Sequence, residues 1–343
     1  HMFRKQDRQP DFENLRLVLE RNAPPRPVLF DFILGAEKEQ LLTGEDYRTE
    51  TEFERVVTTI RAFDSAGYDH APIIVRGLDF KKNAAHQEKT KSLNDGAAVA
   101  SREDFDRFVW PEITDCDFSI IQRAGEFVPK GMKLIPFAYD GILENTISIL
   151  GYESLCLMLF DDPRLVEDVF FEVGSRVKQY YEQCLAFDEV GAILCNDDWG
   201  FGAQTMVSPD TLRKCVFPWY REIVKAAHER GKPALLHSCG AYQAIIGDIT
   251  DIMHFDGRHS YEDKIVPVET AYAQLHEHIA VLGGIDVDFL ARKTPEEVYA
   301  RCRNLIALSA TDGGYALGSG NSVPDYIPNE NFIAMLRAAN EGY

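Results

Sequence analysis

Eight short apolar runs, most of them ending in Asp, Asn, His or Gly, alternate with amphipathic stretches along this 343-residue chain. The runs span 27–36, 68–75, 132–141, 191–198, 233–240, 252–257, 279–286 and 314–321. Between them, "DYRTETEFERVVTTIRAFDSAG", "DPRLVEDVFFEVGSRVKQYYEQCLAF" and "TPEEVYARCRNLIAL" place apolar residues at i, i+3, i+4 and i+7, the spacing of helices with one buried stripe. Ser208-Pro209-Asp210 and Thr294-Pro295-Glu296-Glu297 supply an N-cap followed by a first-turn proline, the second with a capping-box Glu. Strands apolar on both faces need helices on both sides, so a parallel sheet is expected, and eight strand–helix units predict closure into a (β/α)8 TIM barrel. The expected division is a barrel domain over 27–343, preceded at 1–26 by an N-terminal extension with a helix and a His1-Met2 tag remnant. A doubly wound open sheet is the competing α/β architecture. No GxGxxG follows the first strand, which argues against it.

Charge narrows the partners. A formal net charge of −19 leaves no concentrated basic surface for a phosphate backbone, so a nucleic-acid partner is not expected. Seven cysteines without a CxxC predict free thiols in a reducing compartment rather than a disulfide framework. No run reaches 18 apolar residues and the N-terminus is polar, so no membrane association and a cytoplasmic location are expected.

In a parallel barrel the C-terminal ends of the strands converge on one mouth, which makes the closing residues of each run the candidates for chemistry. Asp31, Tyr139, Asp140, Asn196, Asp197, Asp198, His237, Cys239, Asp256, His259, Asp286 and Asn321 all fall there. In "PALLHSCG", His237 and Cys239 could both reach one zinc ion, which accepts N and S ligands; the alternative is a buried thiol beside a hydrogen-bonded histidine. A third ligand is not identified by the sequence. Asp197 and Asp198 in "CNDDWGFG" could share a proton or bind a metal, but adjacent strand residues point oppositely, so they are expected to have different roles. "ALGSGNSVP" combines small residues that admit close approach with Asn321 as donor and acceptor; a tight turn before the last helix is the alternative. Aromatic residues near the strand ends, among them Phe32, Phe137, Tyr139 and Trp199, are consistent with a pocket for a planar ligand.

The segments "NDDWGFGAQTMVSPDTLRKCVFPWYREIVKAAHERGKPALLHSCG", "GGIDVDFLARKTPEEV" and "GSGNSVPDYIP" resemble the uroporphyrinogen decarboxylase superfamily, with the likeness extending over about residues 65–340. That resemblance implies a (β/α)8 barrel and either of two chemistries, cofactor-free decarboxylation of porphyrinogens or cobalamin-dependent methyl transfer. The Arg-Gln-Ala-Gly-Arg segment of the decarboxylases is missing from the first run, and Gly320-Asn321-Ser322 replaces their late Gly-His-Gly. The methyltransferase branch is closer. Its thiol-methylating members hold zinc through His-x-Cys and a late cysteine; His237 and Cys239 match the first two positions, and Asn321 stands at the third.

The resemblance therefore implies a methyltransferase of the O-demethylase type, moving a methyl group from an aryl methyl ether to the cobalt of a separate corrinoid protein. No DxHxxG cobalamin signature is present, so the corrinoid is expected on a partner. Catalytic roles are expected for His237, Asp197 and Asp198, substrate contacts for Tyr139, Asp140, Trp199, His259 and Asn321, close cofactor approach at Gly318 and Gly320, and zinc ligation by His237 and Cys239. A methylcobalamin:thiol methyltransferase and a porphyrinogen-type decarboxylase are the alternative activities, and a barrel that only binds a tetrapyrrole or a protein is the non-enzymatic one.

Overall fold

The computed structural model describes residues 3, 5, 8–45, 51–80 and 97–343. Seven parallel strands form one sheet: β1 (His70–Ile74), β2 (Lys133–Phe137), β3 (Ile193–Asn196), β6 (Ala234–His237), β7 (Gly257–His259), β8 (Ala280–Leu282) and β9 (Tyr315–Ala316), paired in that order. A two-stranded antiparallel hairpin, β4 (Gly200–Phe201) and β5 (Gln204–Thr205), projects from the end of β3.

The expected eighth ladder is not formed among the described residues. The run at 27–36 lies beside β9 through isolated parallel bridges, Leu29 to Leu317 and Leu34 to Val323. Gly318 explains why this segment lies so close: a Cβ there would meet the Phe30 carbonyl oxygen at 1.6 Å. The sheet is parallel and curled, with seven laddered strands in place of the eight expected.

Because strand side chains alternate, the apolar residues of the strands divide between two clusters. Ile135, Phe137, Leu194, Leu235, Leu282 and Ala316 face the interior, whereas Leu134, Ile193, Leu236, Val281 and Tyr315 pack beneath the helices. Each interior Leu contributes about 1.5–3 kcal/mol by leaving water. The helix Phe12–Leu19, capped by Asp11, sends Phe12, Leu15, Val18 and Leu19 into the interior cluster. Its Phe12 N–H donates to Gly131 O just before β2, which puts this helix at the N-terminal end of the strands. The N-terminal region thus plugs the base of the sheet.

The helices start where the caps require. Asp162 caps Pro163–Leu185, Ser208 caps Pro209–Cys215, and Thr294 forms a capping box with Glu297 before Pro295–Ser309. The first amphipathic stretch gives Glu52–Ala66, boxed by Thr51 and Glu54, while its residues 46–50 lie outside the described residues. All seven cysteines are free, and no single described helix is long and apolar enough to cross a membrane.

Candidate functional site

The alternation that sorts the core also sets the mouth. Leu194 and Asn196 share a face on β3, as do Leu235 and His237 on β6 and Gly257 and His259 on β7, and register pairs Asn196 with His237 and His237 with His259. The two histidines therefore form the upper layer of the interior. Asp197 falls on the opposite face, and Asp198 follows beyond the strand.

Asp198, His237 and Cys239 each bring a ligand atom within 4.8 Å of the others, the one such group of three or more among the described residues. The Cys239 sulfur lies 3.7 Å from His237 Nε2. A tetrahedral zinc with ordinary Zn–S and Zn–N bonds separates its S and N ligands by about 3.6 Å, so the spacing fits. Asp198 Oδ1 accepts the Cys239 N–H at 2.8 Å, which ties the loop carrying the sulfur to the carboxylate.

A hydrogen-bond relay leaves the imidazole ready to ligate. The Ser319 carbonyl can only accept, so His259 Nε2 carries a hydrogen and donates to it at 2.9 Å. In a neutral ring His259 Nδ1 must then accept, and His237 Nδ1–H donates to it at 2.8 Å. The lone pair of His237 is thus left on Nε2, toward Cys239. Burial holds both rings neutral: His259 is pushed down to about 4, and His237 well below its usual range by burial and then by the neighbouring His259 and Arg258. Phe32 stacks on His237 at 4.2 Å.

Beneath His259, Ser319 donates through N and Oγ to Asp31 Oδ1 at 2.9 and 2.5 Å, and Tyr68 donates to the other oxygen. Burial outweighs these bonds and pushes Asp31 up to about 6. On the other side, the buried Arg258 donates to the Ser260, Ser238 and Gly240 carbonyls, with its guanidinium over both the Tyr242 and Tyr261 rings. Those carbonyls flank Cys239. Gly240, at φ +85°, packs so closely on Gly200 that a Cβ would meet the Gly200 carbonyl carbon at 2.4 Å, and this contact draws together the loops that bear Asp198 and Cys239.

Several expected site residues sit elsewhere. Asp197 is fully buried and accepts from Leu143 N, Glu144 N, Trp199 Nε1 and Tyr220 Oη, so it braces the start of the helix Ile142–Leu150 rather than facing a substrate. Trp199 is equally buried, against Phe217 and Tyr220, and presents no face to the mouth. His259 lies behind His237 with both ring nitrogens engaged, which removes it from substrate contact. Gly318 and Gly320 admit this chain's own backbone, the carbonyls of Phe30 and Tyr261, not a cofactor. Asp256 is drawn to the base of β6, where it accepts from Ala234 N and pairs with His228.

Tyr139 and Asp140 do reach the mouth, and Asn321 Nδ2 lies 3.6 Å from the Cys239 sulfur, placed to donate to it. Tyr139, Phe32, Phe137 and Asn196 also wall a cavity of about 470 Å³ beside the histidine. Sequence reasoning missed Ser260, 3.8 Å from the same sulfur, along with Arg258 and Glu144. Glu144 accepts the Asp198 N–H and is pushed up to about 9 by burial and then by Asp197, Asp198 and Asp140. An Asp-Gly-x-x-Glu spacing at 140–144, a carboxylate in the first turn after a strand, was the available signal.

A parallel, curled α/β sheet whose strand ends gather a thiol, an imidazole and a carboxylate defines a barrel-type protein with its site at the mouth. The chain belongs to the uroporphyrinogen decarboxylase (URO-D) family, whose model matches residues 99–342. A curated relative, a methylated-thiol–coenzyme M methyltransferase of Methanosarcina mazei, is 31% identical over 140 residues, 40% of this chain and 35% of the relative. The chain thus spans about a third of the length of that relative. Among solved structures, a methyltransferase from Methanosarcina mazei superposes with a TM-score of 0.73 at 14% identity, covering 97% of this chain and 99% of that one. A putative vitamin-B12 independent methionine synthase from Listeria monocytogenes follows at 0.53 and 11%, covering 92% and 98%. At these identities the structural likeness is one of fold.

Proposed function

We propose that this protein is a corrinoid-dependent methyltransferase that takes a methyl group from an aryl methyl ether and passes it to the cobalt of a separate corrinoid protein. One observation carries the reading: an S, N, O donor set at the strand ends stands beside a cavity walled by aromatic rings. In this reading the segment 28–34 is the eighth stave of a (β/α)8 barrel over 27–343, the helix within 1–26 plugs its base, and the free cysteines suit the cytoplasm.

Cys239, His237 and Asp198 would hold zinc, which supplies Lewis acidity toward a departing oxygen. One thiolate with an imidazole and a carboxylate makes a harder centre than two thiolates, and that favours an oxygen over a sulfur leaving group. Around it, Asn321 and Ser260 hydrogen-bond the sulfur, and Ser319 and His259 fix the imidazole. Phe32, Phe137 and Tyr139 hold the ring and exclude water, which keeps the methyl carbon aligned for transfer.

The test supplies the purified protein with a reduced corrinoid protein and a panel of methoxyarenes, with methylcobalamin formation followed by its visible spectrum. Methylcobalamin with at least one methoxyarene, lost in Cys239→Ala, is the expected result. No transfer across the panel overturns the reading. The curated relative's name favours a second reading, transfer involving a thiol. Methylcobalamin consumed by a free thiol, with methoxyarenes inert, would establish that one instead.

A further inference from the structure

We propose that the cavity beside His237 recognises a methyl donor that carries a carboxylate, and that Arg55 is the residue that binds it. The inference rests on the methyl-transfer reading above for the word donor, and on the cavity alone for the anion.

The cavity is lined mainly by apolar side chains, among them Phe32, Val56, Phe63, Ile73 and Phe137. Four charged residues also line it, and three are already satisfied. Arg76 Nε pairs with Glu52 at 2.9 Å, and Glu39 accepts from Thr59 Oγ1 at 2.9 and 3.1 Å. Arg55 is the fourth. It is half-buried in the helix Glu52–Ala66, and its guanidinium has no ion pair, side-chain hydrogen bond or ring contact among the described residues.

Arg55 lines this apolar chamber without a partner among the described residues, and a guanidinium presents a planar fork that matches a carboxylate in two parallel hydrogen bonds. The remaining lining is mostly rings and aliphatic groups, which suit a compact apolar body, with Thr59, Tyr139 and Asn196 as its uncharged polar residues. At about 470 Å³ the chamber takes a substituted benzene ring with room to spare. Phe32 and Asn196, which also line the chamber, adjoin His237 through the 4.2 Å ring stack and the strand register. A donor anchored by its carboxylate at Arg55 would therefore present its far end toward the strand ends, where Cys239 and Asp198 lie. The recognised chemistry is a carboxylate on a small apolar body, of which arenecarboxylates are the fullest match to the rings.

Calorimetric titration of the intact protein with 4-methoxybenzoate, methoxybenzene and 3-methoxypropanoate tests this, in the native form and in Arg55→Gln and Arg55→Lys. The native protein should bind 4-methoxybenzoate at least about tenfold more tightly than methoxybenzene, the scale of one charge-assisted hydrogen-bonding group. Arg55→Gln should remove that preference and Arg55→Lys should restore part of it. A preference shared by 3-methoxypropanoate assigns the site to carboxylates at large; one confined to the ring compound assigns it to arenecarboxylates. Equal binding of the charged and uncharged ethers, or a preference that survives in Arg55→Gln, overturns the proposal. Binding that depends on Arg55 without methyl transfer to a corrinoid would defeat the proposed activity and leave the anion site standing. Transfer indifferent to Arg55 would do the reverse.

Discussion

The two sides of the mouth are built by different means. On the β6–β7 side the residues at the candidate metal centre are linked in a chain: Asp31 holds Ser319, Ser319 holds His259, His259 holds His237, and Arg258 holds the loop of Cys239. On the β1–β2 side the cavity has ring walls and, among the described residues, one unpaired guanidinium. The first side is set by hydrogen bonds whose direction is forced, so its geometry precedes any ligand. The second is set by shape and by what remains unsatisfied, so a ligand completes it. Adjacent residues repeat the contrast: Asp197 is consumed by four donors, while Asp198 accepts backbone Cys239 N–H and keeps capacity for a metal.

The largest effect should come from the ligands themselves. Cys239→Ala and Asp198→Ala should each lower zinc affinity by more than the ~10–100-fold typical of outer hydrogen-bond partners, with the fold intact by circular dichroism. Metal analysis of protein purified without chelators checks this. Stoichiometric zinc retained in both variants would show that the polar side is not a metal centre.

Asp197→Ala should instead cost stability, about 3 kcal/mol in denaturant titrations, because buried donors lose their acceptor. The metal content of the folded fraction should stay unchanged. Loss of zinc without loss of stability would reverse the roles assigned to the two neighbours.

Asp31 gives a pH signature to the relay. Its carboxyl titrates near 6 in the folded protein against 3.8 when unperturbed, so the folded state binds the proton more tightly between those values. Stability from this group is complete below about pH 4 and is lost as pH rises through about 6, by up to about 3 kcal/mol. Asp31→Asn should remove that slope from stability measured at intervals between pH 4 and pH 7. An unchanged slope would take Asp31 out of the relay's energetics.

The smallest effect concerns the second histidine. His259→Phe should weaken zinc binding about 10–100-fold, since His237 loses the acceptor that fixes its tautomer. A competition titration with a zinc chelator reads the difference, and an unaltered affinity would mean that Phe32 stacking alone orients His237.

Much of the fold was legible because it depends on local pattern. Apolar runs of six to ten residues, amphipathic stretches and N-caps located six of the seven laddered strands closely and the capped helices at their observed starts. The run at 252–257 was displaced, because β7 forms at Gly257–His259, where the polar residues Arg258 and His259 mask a buried strand. The eighth ladder failed for a related reason. The run at 27–36 is as apolar as the others, but pairing depends on where the neighbouring backbone lies, and here that backbone offers isolated bridges.

The site was legible in part. Strand-end position and the His-x-Cys pair pointed to His237 and Cys239, and alternation on β3 anticipated that Asp197 and Asp198 would part. Asp197 was nonetheless expected in a catalytic role, and Trp199 and His259 with the substrate, because a strand end does not reveal which face a helix will cover. Asn321, expected as a substrate contact and standing where the resemblance puts a late cysteine, lies against the sulfur as a hydrogen-bond donor, and the third candidate ligand near Cys239 and His237 is Asp198.

The sequence by itself determined the parallel α/β class, the strand ends as the place of chemistry and the residues with metal-ligating atoms, since periodicity and side-chain identity are properties of the chain. The tertiary structure alone decided which carboxylate joins the cysteine and histidine, and which nitrogen of His237 is free. Each of those depends on contacts between residues 22 to 288 positions apart, and no local pattern encodes which of two adjacent carboxylates will find its donors already in place.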